Sequence, residues 1–344
     1  MAIFEISKTN LIYNVVKIKG RLRDGVKFCA MVKADAYGHC LNVVSKIIEP
    51  YVDYFGVATV DEGVELRRNG CAKPILCVGK VFECDYKKAS FYNIEIMVEN
   101  LTDLQKINKL RLSMSIHLKI DLGMHRLGFM LEGEFKNAIK FMKLHRNLKL
   151  VGVFSHLAES DELFYMEKQK QFQNWLQVLG VTKNKVIIHL ANSIASERLA
   201  LQYDMVRVGL SMYGYGESGL KKVLRIKSKI ISLRNVGAGE YVGYDKEYKC
   251  ENDCVIATVS LGYYDGINRK LSNHCYVKIN GRNYLIVGNI CMDMFMVKVD
   301  DTVCVGDEVT VCDDADYWAS LINTIPYEVL TGFKHNRMQI KVVE

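Results

Sequence analysis

The pattern of hydrophobic and polar positions changes near residue 224 and divides the chain into two parts. In the first part, short and nearly continuous apolar runs rich in β-branched residues predict eight β-strands. The predicted strands are residues 27–32, 54–59, 74–78, 94–98, 115–120, 150–155, 186–190 and 205–208. Runs of this kind are typical of parallel strands that are buried on both faces.

Amphipathic segments lie between these runs and predict helices. They include residues 61–69, 102–110, 134–145 and 162–179, and Gly70 and Gly180 end the first and the last of them. Eight alternating β/α units predict an α/β fold, a closed (β/α)8 barrel of the TIM type. An open doubly wound sheet is also compatible with this alternation alone.

The second part of the chain is predicted to be mostly β-structure. Tight-turn sequences at residues 236–239, 280–281 and 305–307 separate its β-rich runs. We therefore expect a barrel domain over residues 1–224 and a β-rich domain over residues 225–344. Because the chain has only three prolines, no Pro-rich linker separates the domains, and we expect them to pack directly.

The composition narrows the functional classes. Hydrophobic residues make up 49% and charged residues 25% of the 344 residues, as in ordinary soluble globular proteins. The net charge of +7 is scattered along the chain, which disfavours a nucleic-acid partner. We see neither a secretion signal nor an apolar stretch of about 18 residues, so we expect a cytoplasmic protein without membrane contact. None of the eleven cysteines forms a C-x-x-C pair, so we expect reduced core thiols and no metal site.

A lysine directly follows the first predicted strand. In β/α barrels the chemistry lies at the C-terminal ends of the strands, and Lys33 directly follows the apolar residues 30–32. Loss of water around a lysine lowers its pKa and favours the neutral amine, which can form a Schiff base. A lysine that extends to solvent at the barrel rim is the alternative interpretation.

The segment that contains this lysine carries a family resemblance. Residues 32–39 read V-K-A-D-A-Y-G-H and resemble the V-K-A-x-A-Y-G-H motif of the alanine racemase family. The resemblance continues over essentially the whole chain. It implies that Lys33 holds pyridoxal 5'-phosphate as an aldimine and is one of two acid/base groups. It also implies that Tyr37 bonds the cofactor phosphate.

The fifth predicted strand and its loop add polar groups. Period two puts His117, Lys119 and Asp121 on one face of this strand. Residues 123–128 resemble the family's G-M-x-R-L-G loop, which implies that Arg126 contacts the cofactor and helps to hold the substrate carboxylate. Lys119 stands seven residues earlier, where some family members carry a carbamylated lysine.

The ends of the sixth, seventh and eighth predicted strands also match family signatures. The resemblance implies that Arg207 faces the pyridine nitrogen of the cofactor, which stays unprotonated because the guanidinium keeps its own protons. Val208 stands where the family usually has proline. The other cofactor contacts implied at these strand ends are His156, Asn192, Ser193, Gly209 and Leu210.

Racemisation needs a second base on the opposite face of the substrate. Residues 240–245 resemble the family segment whose tyrosine crosses a dimer interface into the partner's site. The resemblance makes Tyr244 the second base, assisted by His156, and implies a homodimer with shared sites. Tyr241 and Tyr248 are nearby alternatives.

Two further segments resemble the substrate-binding parts of the family. Residues 262–266 and 289–293 match its substrate-access segment and its C-M-D loop, which implies substrate contacts from Tyr263 and the backbone of Met292. The tail departs from the family, because residues 335–338 read H-N-R-M where R-V-P-R is common.

The resemblance implies an isomerase that interconverts L-alanine and D-alanine and supplies D-alanine for peptidoglycan. A serine or broad-specificity racemase is an alternative, because a small pocket separates substrates that differ by one hydroxyl only modestly. An amino-acid decarboxylase with a related barrel and a non-catalytic pyridoxal phosphate carrier are further alternatives. The Arg207 motif and the Tyr244 segment disfavour the decarboxylase. The second domain disfavours the carrier, which would need neither that domain nor a second base.

Overall fold

Two large β-sheets organise the protein in the computed structural model, which describes residues 2–179 and 186–344. The strands are β1 (Ile3–Ser7), β2 (Lys27–Met31), β3 (Tyr54–Val57), β4 (Ile75–Lys80), β5 (Glu95–Val98), β6 (Met114–Lys119), β7 (Leu148–Phe154), β8 (Ile187–His189), β9 (Met205–Val208), β10 (Leu224–Val236), β11 (Tyr241–Val242), β12 (Tyr248–Lys249), β13 (Cys254–Val259), β14 (Tyr276–Ile279), β15 (Arg282–Val287), β16 (Phe295–Val299), β17 (Glu308–Cys312) and β18 (Gln339–Val343). The helices are α1 (Lys8–Lys19), α2 (Lys33–Gly38), α3 (Leu41–Ile48), α4 (Val60–Arg68), α5 (Glu83–Phe91), α6 (Leu101–Lys109), α7 (Glu132–Leu144), α8 (Glu162–Leu179), α9 (Ala315–Ile322) and α10 (Pro326–Gly332). In the part of the chain that the structure describes, no helix combines the length and the apolar character needed to cross a membrane.

The first sheet is the predicted barrel. Strands β2 to β8 pair in parallel in chain order, and β9 returns to pair with β2. Backbone hydrogen bonds from Asp204 N to Ile188 O at 2.9 Å and from Arg207 N to Ala191 O at 3.0 Å join the β8 and β9 sides. These bonds bring the last strands together, so the prediction of a (β/α)8 barrel is confirmed.

The connections after the last barrel strands differ from the predicted alternation. Short 3-10 turns follow β8 and β9, at Ile194–Glu197, Leu199–Leu201 and Leu210–Tyr213. Asn192 accepts a hydrogen bond from the backbone of this region, and such local side-chain bonds compete with a regular helix. The predicted end of α8 at Gly180 lies outside the described residues.

The second sheet contains both ends of the chain. Its strand order is β13-β16-β15-β14-β17-β10-β1-β18, and its pairs are antiparallel except for the parallel β1–β18 pair. Strand β1 was not among the predicted strands, yet Phe4 lies opposite both Ile226 and Ile340. Phe4 and Ile6 are fully buried, so the first strand is held by the same hydrophobic core that links the barrel to the β-sheet.

Candidate active site

The residues after Lys33 form a left-handed turn. Residues 34–37 have φ values between 52° and 54°, a conformation that costs a residue other than glycine roughly 1–2 kcal/mol. Contacts outside the turn offset this cost. The backbone N–H of Ala34 donates to Glu62 Oε1 at 2.6 Å, and Glu62 also forms a capping box with Thr59 at the start of α4. The turn therefore fixes the point at which Lys33 leaves β2.

The surroundings of Lys33 favour its neutral form. Burial lowers the pKa of Lys33, and the positive charges of Arg126 and Arg207 lower it further, whereas Glu62 opposes them. A neutral amine is the form that attacks an aldehyde. The end of β2 thus presents a lysine suited to carry a carbonyl cofactor.

Three of the expected cofactor contacts, Tyr37, Ser193 and Gly209, meet at one point. Ser193 Oγ accepts a hydrogen bond from the backbone N–H of Gly209 at 2.9 Å. A Cβ atom added to Gly209 would lie 2.4 Å from the Tyr37 hydroxyl oxygen, so glycine leaves the room that this hydroxyl needs. Burial raises the pKa of Tyr37, and its hydroxyl keeps its proton. Hydroxyl groups and backbone N–H donors gathered in this way suit a phosphate.

Other side chains border this point. Leu210 is buried directly after Gly209. Asn192 Oδ1 accepts the N–H of Ala195 at 3.0 Å and thereby shapes the turn that carries the neighbouring serine. Tyr327 of α10 also belongs to this region, since its ring centroid lies 5.8 Å from that of Tyr37. Tyr327 lies in none of the motifs found in the sequence, and only the fold brings it here.

Arg207 is buried and held in one orientation. Its Nη1 donates to His189 Nδ1 at 2.8 Å and to His189 O at 3.1 Å. Its Nη2 donates to Ser155 O at 2.6 Å and to Leu190 O at 3.1 Å. Burial lowers the pKa of Arg207 to about 10, so the guanidinium is still charged at neutral pH.

A chain of buried imidazoles runs behind Arg207. Because Arg207 donates to His189 Nδ1, the proton of this ring lies on Nε2, which donates to His117 Nδ1 at 2.9 Å. His117 in turn donates from Nε2 to Glu95 Oε2 at 2.8 Å. Burial and the charge of Arg207 lower the pKa of His189, which keeps this ring neutral. This series of hydrogen bonds therefore specifies one tautomer for each imidazole ring and orients the Arg207 guanidinium.

A second basic cluster lies at the ends of β6 and β7. Lys119, Arg126 and His156 line the same narrow cleft. Burial, followed by the charges of Arg126 and Arg207, lowers the pKa of Lys119 to about 8. Burial and Arg207 lower the pKa of His156 to about 3, so this imidazole is neutral at physiological pH. Arg126 itself is exposed.

The expected groups of the second domain lie on its surface. Tyr244, Tyr263 and Met292 are 66%, 43% and 52% exposed. Gly243 and Asp245 flank Tyr244 with φ values of 79° and 63°, so both neighbours of this exposed tyrosine have positive φ. Asp245 therefore occupies a backbone conformation that favours glycine.

The divergent tail is tied to the two substrate segments. Arg337 forms ion pairs with Asp265 at 2.8 Å and with Asp293 at 2.7 Å. The segments also bond each other, because Tyr263 N donates to Cys291 O at 3.0 Å. His335 bonds Asp35, which lies within the left-handed turn. The tail thus connects the β-domain loops to the segment that carries Lys33.

These residues fit pyridoxal phosphate. The Lys33 amine, with its lowered pKa, suits the aldehyde, the hydroxyl and N–H donors around Gly209 suit the phosphate, and the fixed Arg207 suits the ring nitrogen. A barrel with this arrangement at the C-terminal ends of its strands defines the class of pyridoxal-phosphate-dependent β/α-barrel enzymes.

Comparison with known proteins identifies the family. Two family models match the chain, the N-terminal domain of alanine racemase over residues 6–217 and the C-terminal domain over residues 223–341. The alanine racemase of Fusobacterium nucleatum is 36% identical over 349 residues, which cover 95% of this chain and 96% of that protein. The chain belongs to the alanine racemase family, whose members are pyridoxal-phosphate-dependent isomerases.

Solved structures agree with this assignment. The alanine racemase of Clostridium difficile 630 has a TM-score of 0.93 at 33% identity, with 99% of this chain and 95% of that chain covered. The alanine racemase of Bacillus anthracis, solved with bound L-Ala-P, has a TM-score of 0.91 at 30% identity, with 99% and 94% covered. The expected barrel followed by a mostly β domain is therefore shared with solved members of the family.

Proposed function

We propose that the protein interconverts L-alanine and D-alanine, with Lys33 and Tyr244 as bases on opposite faces of the substrate. The observation that carries this proposal is the setting of Lys33 at the end of β2, where burial and the charges of Arg126 and Arg207 lower the pKa of its amine. When it is bound, pyridoxal phosphate supplies an electron-withdrawing ring that makes the Cα–H bond of the amino acid acidic.

The side chains around Lys33 divide the remaining work. Arg126 binds the substrate carboxylate by charge-assisted hydrogen bonds, with help from the backbone at Met292. By family resemblance, Lys33 exchanges the proton of D-alanine and Tyr244 that of L-alanine. His156, which is neutral at physiological pH, is available to exchange a proton with Tyr244.

Arg207 favours return of the proton to Cα. Its pKa of about 10 means that it does not give up a proton at neutral pH to a ring nitrogen placed against it. By keeping its own protons, Arg207 would leave a bound cofactor ring unprotonated, and such a ring would draw less negative charge away from Cα. Reprotonation at Cα then competes well with side reactions, as a racemase requires.

The substrate assignment is tested by two parallel reactions. Cofactor-loaded protein is incubated with L-alanine or with L-serine, and each D-isomer is followed by chiral chromatography. We expect D-alanine to form faster. Faster formation of D-serine would identify serine, and not alanine, as the preferred substrate. No reaction despite bound cofactor would favour a carrier of pyridoxal phosphate.

We also propose a homodimer in which Tyr244 of one copy completes the site of the other. The exposure of Tyr244, Tyr263 and Met292 supports this arrangement, because a racemase needs such groups at the substrate. Sedimentation of the active enzyme should give the mass of a dimer, and a fully active monomer would contradict the shared site. Family membership further supports a cytoplasmic enzyme that supplies D-alanine for peptidoglycan.

Lys119 is expected to react with carbon dioxide to form a carbamate. Its pKa of about 8 leaves a neutral fraction at physiological pH, and the neighbouring Arg126 and Arg207 that disfavour an ammonium favour the negative carbamate. The amine adds to carbon dioxide and releases one proton. Protein equilibrated with ¹³C-bicarbonate should show a carbamate carbon by NMR, and labelling should increase as the pH rises from 7 to about 8.5 because more of the amine is neutral.

The matched control for this labelling is a lysine on the outside of the barrel. Lys149 is exposed on β7, so Lys149→Ala should keep the carbamate signal and Lys119→Ala should lose it. A signal that survives in Lys119→Ala would assign the carbamate to another amine.

A further inference from the structure

Three metal-binding side chains meet beside the left-handed turn, and none of them has a role in the mechanism above. A carboxylate oxygen of Asp35, Sγ of Cys40 and a ring nitrogen of His335 all lie within 4.8 Å of one another. Asp35 and Cys40 belong to one short segment, whereas His335 comes from the divergent tail, 300 residues after Asp35. The tertiary fold therefore brings these groups together.

Two of the three groups are already oriented. His335 Nε2 and Asp35 Oδ2 are 2.7 Å apart, and Asp35 Oδ1 accepts the backbone N–H of Leu41 at 2.6 Å. The edge of the His335 ring packs against Phe4, with the ring centroids 5.5 Å apart. Outer contacts of this kind fix the direction of carboxylate and imidazole ligands in metal sites.

Cys40 occupies a backbone position that favours glycine. Its φ is 67°, and it caps the N-terminus of α3. Burial raises the pKa of its thiol, the N–H groups of Val43 and Asn42 oppose this effect, and the charge of Asp35 raises the pKa further. A bound cation would offset both burial and the charge of Asp35. Strained backbone conformations of residues other than glycine cluster at ligand-binding and active sites.

We propose that Asp35, Cys40 and His335 form a site for a borderline-soft divalent cation such as Zn²⁺. Thiolate, imidazole and carboxylate are its usual ligands, at about 2.0–2.3 Å. The side chains of Asp35 and His335 are 45% and 29% exposed, which gives the cation a path and leaves a fourth position for water. The Cys40 thiol releases its proton to solvent on binding, and the cation replaces the contact between His335 and Asp35.

The proposed cation site takes no part in the racemase reaction, so cation binding is measured directly and not through racemase activity. Cofactor-loaded protein is titrated with Cd²⁺, whose bond to thiolate absorbs in the ultraviolet, and zinc content is measured after gel filtration. We expect one tight equivalent per chain. Cys40→Gly, which suits the backbone at this position, should lose the thiolate band and bind at least about tenfold more weakly while keeping its melting temperature.

Two further variants test whether the binding belongs to these three residues. Cys304→Ser removes an exposed cysteine and should leave the tight equivalent unchanged. His335→Gln should weaken binding and retain the thiolate band at higher Cd²⁺. Equal binding by the unmodified protein and Cys40→Gly, or loss of the band in Cys304→Ser, would overturn the proposal.

Discussion

Replacing Lys33 with alanine is expected to lower racemisation by about 10³-fold or more and to remove the visible absorption of covalently attached cofactor. The structure gives the reason, since Lys33 is the amine at the end of β2 whose pKa is lowered by burial and by two arginines. Absorption spectra after reconstitution and D-alanine formation measure the two effects. Lys140→Ala, at an exposed position of α7, is the matched control and should retain both. Persistence of the visible band in Lys33→Ala would place the cofactor on another lysine.

The same substitution should not destabilise the cofactor-free protein. The pKa of Lys33 is lower in the folded chain than its ordinary value. The folded state therefore disfavours the charged amine, and Lys33 opposes folding at pH values below its ordinary pKa. As the pH rises, the destabilising effect of Lys33 becomes smaller and the unmodified protein becomes more stable. The difference in stability between Lys33→Ala and the unmodified protein therefore decreases. Thermal unfolding at pH 7 and at pH 10 measures this difference and separates loss of chemistry from loss of folding.

The barrel was predictable because its strands are buried on both faces and appear as nearly continuous apolar runs. Strand β1 was not predicted, since a five-residue segment at the start of a chain shows neither turn signals nor a neighbouring partner in sequence. Its pairing with β18 depends on residues more than 300 positions away, which no local pattern reveals. The left-handed turn was also not predicted, because residues 34–37 contain no glycine.

The candidate site was predictable where it follows strand ends. Lys33, Ser193 and Arg207 stand there, and the family resemblance assigns them roles. The series of hydrogen bonds from Arg207 through His189 and His117 to Glu95 was not predicted, because these residues lie on four different strands. A polar face on the fifth predicted strand signalled only that His117 needs a partner.

Converting Tyr244 to phenylalanine is expected to spare cofactor binding and to lower turnover by about 10²–10⁴-fold, the usual contribution of a positioned acid or base. Tyr244 is 66% exposed, so loss of its hydroxyl leaves no buried polar group without a partner. Racemisation rates in both directions measure the effect. Tyr241→Phe removes a hydroxyl from a neighbouring exposed tyrosine and is the matched control. Unchanged activity in Tyr244→Phe would assign the second base to Tyr241 or Tyr248.

Combining the two inactive variants tests whether Tyr244 acts across a dimer interface. In a mixed dimer of Lys33→Ala and Tyr244→Phe, one site receives both intact bases and the other receives neither. Random assembly makes about half of the dimers mixed, so co-expression should restore about a quarter of the unmodified activity. If Tyr244 served the site of its own chain, every site in every dimer would lack one base and the mixture would stay inactive. Restoration therefore requires both the second base and the shared site, and neither single variant can give that result.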